Sequence, residues 1–92
     1  MKRMKATLNA STWDITFNQP PPHKGNAEID GFCDDVAKII IIKPDTGVKM
    51  LDTAIHEMLH ALFPKAKERK VTRAANQITS VLWKMNYRKV SS

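Results

Sequence analysis

Apolar and polar positions alternate with a period of two in the first half of the chain and recur every three to four residues in the second, which predicts strands followed by helices. Trp13, Ile15 and Phe17 alternate with Thr12, Asp14 and Thr16, the pattern of a strand with one buried face. Met4, Ala6 and Leu8 predict a shorter strand before a turn at Asn9, Ala10 and Ser11, so the two form a hairpin. Residues 19–26 read as a connector, because Pro20, Pro21 and Pro22 lack the backbone donors that a sheet requires. Residues 29–33 and 38–43 flank Asp34 and Asp35 and predict a second hairpin. Its later strand holds Ile39, Ile40, Ile41 and Ile42, apolar on both faces, and belongs inside the sheet or under cover on both sides.

The helical half opens at a turn, Pro44 to Gly47, with Asp45 or Thr46 as candidate N-cap. Val48, Leu51, Ile55, Leu59 and Leu62 then form one stripe before Pro64 stops the helix, giving about four turns. Val71, Ala75, Ile78, Leu82 and Met85 mark a second, longer helix. Lys67, Arg69, Lys70, Arg73, Lys84, Arg88 and Lys89 lie mostly off its stripe, so its exposed side is basic. Trp13 and Trp83 read as core residues. The expected architecture is a single α+β domain over residues 1–92: a small, mostly antiparallel sheet of three to four strands packed on the first helix and a C-terminal helix.

Length and composition narrow the classes. A chain of 92 residues has room for one core. The four isoleucines are its longest apolar run, far short of the roughly 20 residues of a membrane helix, so no membrane contact is expected. Lys2, Arg3 and Lys5 open the chain, but Asn9, Ser11, Thr12 and Asp14 interrupt any apolar stretch of a secretory signal, and a cytoplasmic protein is expected. Cys33 is the single cysteine, which excludes an internal disulfide. The formal charge of +6 suits contact with nucleic acid or an acidic partner. Lys65, Lys67, Arg69, Lys70 and Arg73 are then the phosphate-contacting face, or simply a solvated helix surface.

Chemistry concentrates in His56-Glu57-Met58-Leu59-His60. Four-residue spacing puts both imidazoles on one helix face, one turn apart, where they can ligate one tetrahedral zinc ion, with Glu57 turned toward the neighbouring water position. Zinc lowers the pKa of its water toward about 7, and the carboxylate accepts the proton as that water attacks a carbonyl and returns it to the leaving amine. Chance placement of these residues in a chain this short is expected at roughly a few per thousand. A catalytic zinc ordinarily has three protein ligands. Glu68 lies three residues before Val71 and seven before Ala75, on the inward stripe of the second helix, and is the candidate third ligand. Its alternative is a partly exposed first-turn carboxylate stabilised by the helix dipole. Asp52, four residues before His56, suits a hydrogen bond to a histidine better than direct ligation. Cys33 is either another ligand or a small buried hydrophobe, and His23 sits in the proline connector, exposed to solvent.

With its HEMLHALFP segment, the chain resembles the zincin metallopeptidases, specifically the very small gluzincin-like and SprT-like proteins often encoded by phages and prophages. The likeness runs from residues 38–43 through Leu51, Asp52, Thr53, Ala54, Ile55 and the motif to Glu68, Val71, Leu82 and Trp83. It implies His56, His60 and Glu68 as ligands of Zn2+ and Glu57 as general base. It also implies a protein or peptide substrate held against an edge strand, for which residues 29–33 are the candidate, in a monomer working in a phage-infected bacterial host. The HExxHxxGxxH extension of the metzincins is absent, because Phe63 and Pro64 closely follow His60. No sizeable second subdomain is expected within these 92 residues, so shallow pockets and a narrow specificity are expected. The rival class is a basic accessory protein that contacts nucleic acid through its C-terminal helix and keeps zinc only as a structural staple.

Overall fold

Strands β1 (Arg3–Leu8) and β2 (Ser11–Phe17) are joined by Asn9 and Ala10, at φ 54° and 63°. Two left-handed residues in succession are what a two-residue hairpin needs to match the twist of its strands. The structure is a computed structural model and describes residues 3–21, 29–45 and 47–87. Residues 18–30 then connect to β3 (Gly31–Asp34), which turns back into β4 (Ile39–Ile42). Asp34 builds that turn, its carboxylate accepting the N–H groups of Val36 and Ala37 at 3.0 Å each. Both strands are shorter than the sequence pattern predicts.

The strand order is β1-β2-β4-β3. β1 with β2 and β3 with β4 are antiparallel, as the two hairpins require, whereas β2 and β4 run parallel. The sheet is therefore mixed, with β4 in its interior and β3 on its edge. Ile15 pairs with Ile40 and Ile40 with Cys33, while Phe17 pairs with Ile42 and Ile42 with Gly31, so all of these residues share one face. Trp13, Ile15, Ile40 and Ile42 are buried on that face, and Ile39 and Ile41 are half-buried on the other. The Trp13 indole N–H, which burial would otherwise strand, donates to the Leu8 carbonyl at 3.2 Å.

Helix α1 (Gly47–Leu62) presents Met50, Ala54, Met58 and Ala61 to this face. It starts at Gly47, whose φ of 66° suits glycine, and Asp45 lies in its entry while Thr46 is outside the described residues. Helix α2 (Glu68–Lys84) folds back along α1 after the turn at Pro64. Its buried residues are Val71, Ala75 and Thr79, a strict four-residue ridge, so Ile78 and Met85 are exposed rather than part of the core as their spacing predicts. Val48 and Leu62, at the ends of the α1 stripe, are exposed as well. Trp13 is core as expected, whereas Trp83 is only half-buried. No described helix is long and apolar enough to cross a membrane.

Candidate metal centre

His56 and His60 lie one turn apart on α1, bordering the cleft between that helix and β3. Their Nε2 atoms approach to 3.1 Å. The Glu68 carboxylate closes the triangle, with Oε1 at 2.7 Å from Nε2 of His60 and Oε2 at 3.1 Å from Nε2 of His56. Hydrogen bonding alone serves this triangle badly, because imidazoles that both donate to Glu68 would turn two N–H groups toward each other. Donors of a tetrahedral zinc ion with bonds near 2.0–2.1 Å stand about 3.3 Å apart, so a small opening of the triangle fits the ion. Among the described residues, these three are the only group of His, Cys, Asp and Glu side chains close enough to hold a metal ion. The donor set thus fits zinc, with three protein ligands and room for an outside one.

Periodicity predicts Glu68 on the inward face of its helix, and here the structure differs. Its side chain is 69% exposed. Glu68 is the first residue of α2, level with the end of α1, and at that mouth a side chain directed toward α1 still meets water. It is at once a first-turn carboxylate at the positive end of a helix dipole and the residue that converges on both histidines.

Glu57 points elsewhere. It is 8% exposed, and burial, assisted by the nearby Glu68 carboxylate, pushes its carboxyl up to about 7. The backbone of β3 lies directly against it: a Cβ on Gly31 would stand 2.6 Å from Glu57 Oε2 and 2.8 Å from the Thr53 methyl. Only glycine permits this approach, and no feature of the sequence pattern identifies Gly31 as part of the site. Between β3 and α1 runs an open cleft of about 480 Å³, with Gly31, Cys33, His56, Glu57, His60 and Glu68 in its walls. A carboxyl that titrates near neutrality, beside a place for an exchangeable ligand, is suited to proton transfer.

The remaining candidates separate from the triad. Asp52 hydrogen-bonds neither His56 nor His60. It accepts the Thr79 hydroxyl at 3.3 Å and, with the Asn76 amide nitrogen turned toward it, two further contacts at 2.9 and 3.2 Å, so it ties α1 to α2. Thr79 and Asn76 have no signature in the sequence beyond lying on the same helix. Cys33 packs against the sheet core, and burial followed by the Glu57 and Asp35 carboxylates pushes its thiol up to about 11, so it is protonated near neutral pH. His23 lies outside the described residues, as do Arg88 and Lys89. Lys65, Lys67, Arg69, Lys70 and Arg73 are all exposed. Comparison of the chain with known protein families, with curated proteins and with solved structures gives no match.

Proposed function

We propose that the protein is a zinc-dependent metallopeptidase of narrow specificity and of minimal zincin type. The observation that carries this reading is the convergence of both Nε2 atoms and the Glu68 carboxylate on one point, with a buried Glu57 beside it beneath an edge strand. His56, His60 and Glu68 hold the ion, which when bound supplies Lewis acidity to a water molecule and to a peptide carbonyl. Glu57 accepts the proton of the attacking water, a role supported by its carboxyl titrating near 7, and delivers it to the departing amine. Among the described residues β3 pairs only with β4, so its outer edge can take an extended peptide by main-chain hydrogen bonds, and Gly31 lets that backbone lie close to Glu57. The cleft is open and shallow among the described residues, which matches a narrow substrate range.

Metal analysis and a proteome-wide cleavage screen test the reading together. Purified protein should carry about one zinc ion per chain by the two-histidine, one-carboxylate logic. Replacing His56 and His60 by Ala should abolish stoichiometric binding, and full retention of zinc in the double variant sinks the ligand assignment. Glu57→Gln should keep the zinc and lose hydrolysis, so an equally active Gln variant excludes Glu57 as base. The accessory-protein alternative draws on the five exposed cations from Lys65 to Arg73. It requires salt-dependent DNA binding that charge reversal at those positions removes, with no cleavage of any peptide.

A further inference from the structure

Helix α2 is apolar over more of its surface than α1 covers. Val71, Ala75 and Thr79 are buried, whereas Ile78, Val81 and Met85, together with Phe63 just past the end of α1, are between 41% and 58% exposed. These residues are not scattered. Val71, Ala74, Ile78, Val81 and Met85 follow one another at steps of three, four, three and four, the spacing at which one helix presents a seam to another. Val71 is buried, Ala74 half-buried and the other three exposed, so only part of the seam is covered.

Ala74 makes a hollow in that seam. A cavity of about 230 Å³ is walled by Leu59, Phe63 and Ala66 on one side and by Lys70, Val71 and Ala74 on the other. It has room for one large apolar side chain, and none of its residues lines the metal cleft. Charge beside the seam is of one sign. Lys70, Gln77 and Lys84 run along its outer edge at seven-residue steps, and Arg73 lies beyond them. Glu68 is the only acid of α2, and it is directed to the histidines. Lys5, Lys38 and Lys49 each meet an aspartate, yet among the described residues no Lys or Arg from Lys65 to Lys84 forms an ion pair.

We propose that this face docks an α-helix of a partner protein. That helix is apolar along one stripe, carries Glu or Asp at the flanking positions that meet Lys70 and Lys84, and seats one large apolar side chain over Ala74. The spacing of the seam calls for a helix, the hollow for an anchoring side chain, and the unpaired cations for acids. A second copy of this chain supplies no acid along its own seam, so like charges would meet. A lipid surface or a nucleic acid answers the cations but brings no side chain to the hollow. Leu59 and Phe63 flank His60 in the sequence, so a partner held there lies close to the metal cleft without entering it.

Two synthetic helices test the proposal. Full-length 15N-labelled protein is titrated, followed by NMR, with a blocked three-heptad peptide that has Leu along its seam and Glu at the flanking positions, and with its counterpart carrying Lys there. The Glu peptide should bind at least about tenfold more tightly than the Lys peptide, with shifts at Leu59, Phe63 and along α2 from Lys70 to Met85. Ala74→Phe, which fills the hollow, and Val81→Ser, which interrupts the seam, should each weaken it about tenfold and leave the circular dichroism spectrum unchanged. Val81 is on the surface, so its variant stays informative if Ala74→Phe disturbs the packing of α2. Lys70→Glu combined with Lys84→Glu should invert the preference, so that the Lys peptide becomes the tighter ligand. Failure of the Glu peptide to bind at millimolar concentration, equal binding of both peptides, or an affinity untouched by Ala74→Phe and Val81→Ser overturns the proposal. So does a dimer in sedimentation equilibrium that Val81→Ser dissolves, which makes the occupant a second copy. Binding to phosphatidylserine vesicles or to a DNA duplex that Val81→Ser abolishes overturns it in favour of those surfaces.

Discussion

Two seams meet along α1, and they are made of different material. On the sheet side, Trp13, Ile15, Ile40 and Ile42 meet Ala61, Met58, Ala54 and Met50, an apolar contact with the one indole N–H satisfied. On the α2 side, Ile55, Val71 and Ala75 are buried in the middle, and each end is polar: His56, His60 and Glu68 at one, Asp52, Thr79 and Asn76 at the other. The first seam is held by removal of apolar area from water, which is insensitive to ionisation. The second contains few buried apolar residues, and its ends are polar side-chain clusters. A domain this small has little stability to spare, so α2 should be the element whose docking responds to conditions.

The sharpest break of the contrast is Trp13→Ala. Removing the largest fully buried side chain should cost about 4 kcal/mol, close to the whole stability of a small domain, and leave the chain unfolded with or without zinc. Far-ultraviolet circular dichroism checks this; a zinc-loaded variant that keeps its native spectrum would place the stability in the metal seam instead.

Ionisation should act outside the apolar contact, through Glu57 where α1 meets the β3 edge of the sheet. Its carboxyl titrates near 7 when folded against an ordinary 4.5, so the folded state binds this proton more tightly than the unfolded chain does. The resulting contribution is full below pH about 4.5 and is lost as pH rises through 7, a change on the order of 3 kcal/mol in metal-free protein. Glu57→Gln should flatten that part of the profile, making the variant more stable than the parent at pH 8 and about equal to it at pH 4.5. Parallel urea-stability profiles for the two proteins would contradict the assignment.

Glu68→Ala should have a smaller effect, and one that depends on metal. Loss of one of three ligands should weaken zinc binding by at least about tenfold, near 1.4 kcal/mol, and lower the melting temperature of the zinc-loaded form. The metal-free form should barely change, because the Glu68 side chain is 69% exposed. Hydrogen exchange should show the loss in α2 and not in the strands. Equal destabilisation with and without zinc would make Glu68 a helix-terminal charge and nothing more.

Much of this was legible along the chain because it depends on local periodicity. The alternation around Trp13, Ile15 and Phe17 specifies which face of β2 is buried, the run from Ile39 to Ile42 marks an interior strand, and the four-residue step from His56 to His60 puts two imidazoles on one side of a helix wherever that helix lies. Periodicity selects Glu68 for the site but leaves an inward ligand and a partly exposed first-turn carboxylate both open, since burial depends on where the neighbouring helix ends. The same limit explains Thr79 in place of Ile78: positions three and four residues on are both compatible with an amphipathic stripe, and the angle at which α2 crosses α1 selects between them. The parallel pairing of β2 with β4 and the close passage of Gly31 over Glu57 belong wholly to the tertiary structure. A strand's pattern encodes its buried face and carries no label for its neighbour, and a glycine's missing side chain acquires a purpose only when another segment fills the space.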